Sequence, residues 1–155
     1  MKAKFNKAAL QEALALVSSV VPSRTPKPIL QCVCIKAGKE GVRVCATDLE
    51  VGINYSITQV EVEREGDAVV PADKLTAIVR EGVDEVLELE VTEASMRILG
   101  ADSHFTIYGH DPRQYPEVPS FEGKADIEMG LGNLQEGVEL SVFAVAREST
   151  RLSLI

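Results

Sequence analysis

The run Ser23-Arg24-Thr25-Pro26-Lys27-Pro28-Ile29-Leu30, followed after a short interval by Thr47-Asp48-Leu49-Glu50, is where this chain is most informative. Prolines at 26 and 28 fix φ near about −65° and push Thr25 and Lys27 into extended geometry. The run is therefore a stiff approach to a strand predicted to start at Ile29. A stiff loop loses little entropy on ordering, so Arg24 and Lys27 project from a platform. Two fixed cations beside a strand suit a phosphate-binding surface.

Upstream, Lys2 to Phe5 reads as a short strand and Asn6 as an N-cap. Lys7 to Val21 then reads as a helix with Leu10, Leu14 and Val17 on one face, extended by Ala13 and Val21, and ended by Pro22. Downstream the apolar period changes to two. Strands are predicted over Ile29 to Ala37, Val42 to Ala46 and Val51 to Ile57, with a turn at Gly38 to Gly41. The same order recurs: a strand over Asp67 to Val70, a helix over Ala72 to Arg80 opened by Pro71 and stopped by Gly82, and strands over Val86 to Val91, Ser95 to Leu99 and His104 to Tyr108. In that helix Leu75, Ile78 and Val79 face inward. One domain is thus two copies of a strand–helix–three-strand unit, an α+β fold with two helices packed on antiparallel sheets.

His110 to Gly123, with Pro112, Pro116 and Pro119, reads as a boundary loop. Beyond it the chain starts again. Asp126 to Met129 is predicted as a strand, Asn133 to Ala146 as a helix, and Thr150 to Ile155 as the beginning of the next strand. Leu134-Gln135-Glu136 repeats Leu10-Gln11-Glu12, and Leu14 then matches Val138. The expected division is residues 1–122 as one domain and 123–155 as the incomplete start of a second copy.

Hydrophobic residues make up 45% of the 155, with aromatics at 5% and no Trp, so the core is aliphatic. A net charge of −8 argues against nucleic-acid binding over the whole surface but permits one cationic face. No run reaches the roughly 18–20 apolar residues of a membrane span. Lys7, Gln11 and Glu12 interrupt any signal core after Met1-Lys2-Ala3-Lys4, which points to the cytoplasm, with no membrane partner. Three cysteines, Cys32, Cys34 and Cys45, are then free thiols by default.

Chemistry-bearing motifs are few. Gly130-Leu131-Gly132 lies between a strand and a helix, but Gly137 is one position late for a dinucleotide loop and no acidic ribose partner follows. The Cys32-x-Cys34 spacing and distant His104 and His110 do not make a four-ligand metal set, so the thiols read as small buried hydrophobes. Asp48 reads as a turn former bonding backbone N–H groups. No catalytic constellation or cofactor is indicated. Lys2, Lys4, Lys7, Arg24, Lys27, Lys74, Arg80, Arg147 and Arg151 fall near helix ends or in helix-to-strand loops, while the acids, Glu61, Glu63, Glu65, Glu81, Asp84, Glu85, Glu88 and Glu90, fall mostly on later strands and turns. The pattern predicts a basic helix side and an acidic sheet side.

Arg24-Thr25-Pro26-x-Pro28-Ile29-Leu30, Ala46-Thr47-Asp48-Leu49-Glu50, Val70-Pro71-Ala72-x-Lys74 and Tyr115-Pro116 together resemble the first domain of the bacterial sliding clamp, the β subunit of DNA polymerase III. The resemblance implies a DNA-clamp fold, three such domains per chain, and two chains closing head to tail around duplex DNA. It further implies a processivity factor that binds DNA without sequence preference and has no catalytic site. The replicative polymerase and clamp loader would be partners of the full-length protein. Arg24 matches the family's DNA-facing loop arginine, and Lys27, Arg80 and Arg147 complete the expected DNA contacts. Glu148, Leu152 and Ser153 depart from residues that some members place at DNA, and Asp73 departs from a position that is basic in some members. Lys74 and Ile78 on the second helix, with His104, Phe105 and Ile107 on the last strand, look like the edge that pairs with another subunit. The alternative is a non-enzymatic protein-interaction domain with no role on DNA.

Overall fold

The computed structural model describes residues 1–93, 95–120 and 123–145. The chain divides into two compact units, Met1–Ser120 and Phe121–Ile155. In the first, β1 (Lys2–Asn6) alternates cleanly, with Ala3 and Phe5 buried and the lysines outward. Asn6 caps α1 (Lys7–Val17), its side chain accepting from the Ala9 N–H at 3.2 Å. Leu10, Ala13, Leu14 and Val17 form the buried face of the helix.

The α-helix ends at Val17 rather than Val21. Ser18–Val20 tightens into a 3-10 turn, and Val21, which precedes Pro22, is extended at φ −74° and ψ 118°. A residue before proline avoids the helical region, so the last turn cannot continue. A second difference follows Pro28. Pro28–Gln31 is a 3-10 turn closed by Leu30 N–H donating to the Lys27 carbonyl at 3.0 Å. The strand predicted from Ile29 therefore starts at Cys32.

The strands that follow are β2 (Cys32–Gly38), β3 (Gly41–Thr47), β4 (Gly52–Ile57), β5 (Val60–Arg64) and β6 (Gly66–Pro71). Helix α2 (Ala72–Glu81) comes next, then β7 (Val86–Thr92), β8 (Ser95–Leu99) and β9 (His104–Tyr108). The strand orders are β4-β3-β2-β6 and β5-β1-β7-β8-β9, all pairings antiparallel. The two halves exchange strands. The meander β2-β3-β4 takes its fourth strand, β6, from the second half, and β7-β8-β9 takes β1 from the first. Neither half can complete a sheet alone, so the doubled unit folds as one body. The sequence reading passes over β5, whose Val60 and Val62 alternate with Glu61 and Glu63. It pairs with β1 at Lys4↔Glu61 and Phe5↔Val60 and extends that sheet outward.

One core joins α1 and α2 to the inner faces of both sheets, through Phe5, Leu14, Ile35, Val44, Leu75, Leu89 and Ile98 among others. The helices run antiparallel. The Lys7 ammonium near the start of α1 reaches the Gly82 carbonyl that ends α2, and Ser18 past the end of α1 bonds Thr76 at 3.4 Å.

The opposite face of the four-stranded sheet holds a smaller cluster of Cys32, Cys34, Cys45 and Val69. The segment read as a boundary loop folds back over it: its Tyr115 and Val118 pack there beside Ile29 of the turn before β2, and His110 N–H bonds the Val69 carbonyl at 2.9 Å. This is a structural strap at least as far as Pro119, whose carbonyl accepts from the Asn54 side chain at 3.2 Å.

In the second unit, Asp126 to Met129 has no strand structure, since no neighbouring strand pairs with it among the described residues. Helix α3 (Leu131–Ser141) starts two residues earlier than Asn133 and passes into a 3-10 turn, Val142–Ala144. Gly130 is its N-cap and Gly132 lies in its first turn. None of the described residues of α3 is buried. The strand expected over Thr150 to Ile155 lies outside the described residues.

Candidate nucleic-acid interface

The loop after α1 is held more firmly than its prolines alone require. Gln31 Nε2 donates to the Ser23 carbonyl at 3.0 Å and ties the loop's ends together, while Lys27 N–H donates to Thr25 Oγ1 at 3.1 Å. Lys27 is extended at φ −112°, as a residue before proline must be. Arg24 and Lys27 are exposed, and no ion pair engages either among the described residues. Beside the loop runs a groove of about 660 Å³ between the end of α1 and α2, lined by Ser18, Ser23, Gln31, Asp73, Thr76 and Arg80 among others. The loop and Arg80 thus reach one depression. Arg80 is partly neutralised, its Nε lying 3.0 Å from Glu81 Oε1. Asp73 brings a negative charge to the same groove. Arg147, Glu148, Leu152 and Ser153 lie outside the described residues.

The Thr47-Asp48-Leu49-Glu50 motif builds a tight turn between β3 and β4. Asp48 Oδ1 accepts from the N–H groups of Glu50 at 2.9 Å and Val51 at 2.7 Å. Those bonds favour the ionised form and lower the Asp48 pKa. Thr47, the one buried polar residue among those described, donates to the Val51 carbonyl and accepts from Leu49 N–H. The network holds Leu49 at φ 82°, a left-handed conformation rarely taken by a branched residue. Asp48 is a turn former, as its sequence context suggests.

The expected segregation of charge by element is not what forms. Lys2 and Lys4 project from β1 on the outer face of the five-stranded sheet, both 2.7 Å from Glu63, and Lys2 also meets Glu88 at 3.3 Å. Glu90 similarly sits between Arg64 at 3.8 Å and Arg97 at 3.3 Å. Shared between two ammonium groups, Glu63 has its pKa held down at about 2. On the other sheet Lys36 lies opposite Arg43 and, across β6, Asp67. On the five-stranded sheet cross-strand neighbours pair opposite signs, whereas Lys36 has a like charge on one side and an opposite one on the other, so both faces carry mixed charge. Lys2 and Lys4, grouped in the sequence with cations near helix ends, thus belong to a sheet face instead.

The second predicted surface is the edge formed by β9 and α2, which lie next to each other. β9 ends its sheet and its outer edge has no partner strand among the described residues. His104 is exposed, and Phe105 is 43% exposed. Lys74 is exposed beside Asp73 at 3.7 Å, and Ile78 is half-buried against the core. Ile107 is a correction: at 6% exposure it belongs to the core, opposite Met96 on β8, and supports the edge from beneath. Tyr108, the last residue of the predicted edge strand but not among the interface residues named from the sequence, is 78% exposed. Its position after a run of alternating residues was the available signal.

The family model for the DNA polymerase III beta subunit, N-terminal domain, matches residues 1–119. The chain belongs to that family. A beta sliding clamp from Halalkalibacterium halodurans is 32% identical over 143 residues, covering 87% of this chain and 38% of that protein. The crystal structure of the DNA polymerase sliding clamp from Bacillus subtilis superposes with a TM-score of 0.92 at 29% identity, covering 97% of this chain and 42% of that one. A sliding clamp from Bartonella birtlesii, solved with griselimycin bound, gives a TM-score of 0.87 at 30% identity over 97% of this chain and 41% of its own. The α+β architecture of two antiparallel sheets and few helices is thus the beta-subunit fold, and the chain spans about two fifths of the length of these relatives.

Within that family fold, the sequence motifs mark distinct structural duties. Pro26 and Pro28 stiffen the cationic loop, Thr47 and Asp48 build a turn, and Tyr115 anchors the strap through its hydroxyl, which donates to the Cys32 carbonyl at 3.0 Å. Burial pushes the Tyr115 hydroxyl pKa up, so it remains a donor through the neutral range. No group of three His, Cys, Asp or Glu side chains converges for a metal among the described residues, and no helix there is long and apolar enough to cross a membrane.

Proposed function

We propose that this chain is the leading part of a sliding clamp that encircles duplex DNA and tethers the replicative polymerase, without catalytic chemistry of its own. Residues 1–122 act as the first clamp domain and 123–155 begin the second. The completed protein closes head to tail with a second copy through the β9–α2 edge, using Lys74, Ile78, His104 and Phe105. It works in the bacterial cytoplasm with the polymerase and clamp loader. The observation that carries this reading is the pair of exposed cations, Arg24 and Lys27, without ion pairs among the described residues, on a loop stiffened by two prolines and a Gln31–Ser23 bond. Phosphate contacts from such a platform confer affinity without sequence preference, which sliding requires. Arg80 across the groove adds to the same field, and Arg147 is carried as a DNA contact on its sequence match to the family alone.

The test is Arg24→Ala and Lys27→Ala, singly and together, in a chain completed to the length of its relatives. Removing one cation from a phosphate should lower the slope of log affinity against log salt by about 0.9. Lys36→Ala on the outer sheet face should leave the slope unchanged. Unaltered DNA binding in the double variant would favour the second reading, a protein-interaction domain with no DNA role, which the net charge of −8 supports.

A further inference from the structure

Strands β2 and β3 set Cys34 and Cys45 directly opposite each other. Both side chains leave the sheet on the face away from the helices, and both are buried free thiols. Directly opposed residues of an antiparallel pair have Cα atoms about 4.5–5.5 Å apart. That lies within the roughly 4.4–6.8 Å that a disulfide spans. The interaction across this pair pushes the Cys34 pKa up and the Cys45 pKa down, and Lys36 and Arg43 on the same face also lower Cys45. Asp67 and burial oppose them. Cys32, by contrast, lies opposite Pro71 on β6, and burial pushes its thiol up to about 11. The cluster is closed by the strap, through Tyr115 and Val118 and the bonds from Tyr115 to Cys32 and from Asn54 to Pro119.

We propose that Cys34 and Cys45 are a reversible cross-strand dithiol–disulfide site, oxidised by hydrogen peroxide when the strap over them opens. In the first step the Cys45 thiolate attacks a peroxide oxygen. The O–O bond breaks, giving a sulfenic acid and a hydroxide that is protonated and leaves as water. In the second, the Cys34 sulfur displaces the hydroxyl group from Cys45: the S–S bond forms, the S–O bond breaks, and the Cys34 proton leaves with the hydroxyl as a second water. Two thiols lose two electrons and one peroxide becomes two waters. The product staples β2 to β3 where they are already paired, so the fold persists and a thiol reductant reverses the change.

The 155-residue chain is treated with hydrogen peroxide under native conditions, then unfolded, alkylated and weighed. Alkylatable cysteines should fall from three to one, with the survivor mapped to Cys32 and three restored by dithiothreitol. Cys32→Ser should leave the disulfide intact. Tyr115→Phe, which loosens the strap, should speed its formation by about fivefold, the factor of one neutral hydrogen bond. The proposal is overturned if all three thiols survive in both the parent chain and Tyr115→Phe. A disulfide that includes Cys32, or oxygen addition without a disulfide, overturns it equally. Survival of all three would leave the cysteines as small hydrophobes only.

Discussion

Leu10 of α1 and Leu134 of α3 occupy the same place in a repeated Leu-Gln-Glu, yet the first is fully buried and the second is 49% exposed. The contrast continues one turn on, where Leu14 is at 0% and its counterpart Val138 at 54%. Both segments form helices of eleven residues. Local pattern is therefore sufficient to specify the helix, while burial depends on what the chain supplies around it. Around α1 the first unit provides two sheets and an antiparallel partner helix. An isolated helix of this length is marginal in water, because most helical stability in proteins comes from packing an apolar face. The same amphipathic sequence is a core element in one unit and an uncovered face in the other.

The largest effect should come from truncating the same apolar position in both places. Leu14→Ala removes a fully buried side chain and should cost about 2–5 kcal/mol, spread by how far the cavity collapses. Val138→Ala at the matching position should change stability by no more than about 0.5 kcal/mol. Urea midpoints of the two variants check this directly. A cost for Val138→Ala approaching that for Leu14→Ala would mean the α3 face is covered in solution, and the contrast would fail.

A smaller effect concerns the helix starts. The Asn6 side chain satisfies the Ala9 N–H of α1, whereas Gly130 at the start of α3 has no side chain to offer. Asn6→Ala should cost about 1 kcal/mol in the urea midpoint. Gly130→Asp, supplying the missing cap, should raise the far-ultraviolet helix signal. No change from Asn6→Ala would show that tertiary packing alone fixes where α1 begins.

How far the fold was legible follows from the same distinction. Most first-unit strands and helices named from the sequence differ from the observed ones only at their ends or not at all, because alternation at Ala3 and Phe5 or helical spacing at Leu10 and Leu14 is a local property. The strand begun at Ile29 shifts to Cys32 because Pro28 opens a 3-10 turn. β5 escaped notice because Val60 and Val62 carry too little apolar weight against their acidic neighbours. The exchange of β1 and β6 between halves is a matter of long-range pairing that no window of sequence contains. At the candidate site, Arg24 and Lys27 were readable from the prolines beside them. The pairing of Arg80 with Glu81, the removal of Lys2 and Lys4 to a sheet face, and the burial of Ile107 depend on three-dimensional neighbours.

The smallest of the three effects tests whether ion pairing, like burial, belongs to elements that have partners. Glu63 on β5 lies between Lys2 and Lys4, and its pKa falls from an ordinary 4.5 to about 2. A carboxylate with a depressed folded-state pKa stabilises fully above its unfolded value, and the benefit is lost as pH falls from about 4.5 through about 2. Unfolding midpoints should therefore decline over that window, and Glu63→Gln should make the decline shallower. Asp48 and Asp111, also lowered, keep it from vanishing. Because the pair is solvent-exposed, added salt should shrink the difference between the two proteins. Equal slopes for Glu63→Gln and the parent chain would mean that the Lys2–Glu63–Lys4 ladder contributes nothing to folding. The outer face of the five-stranded sheet would then resemble α3, ordered in form but without energetic support from its neighbours.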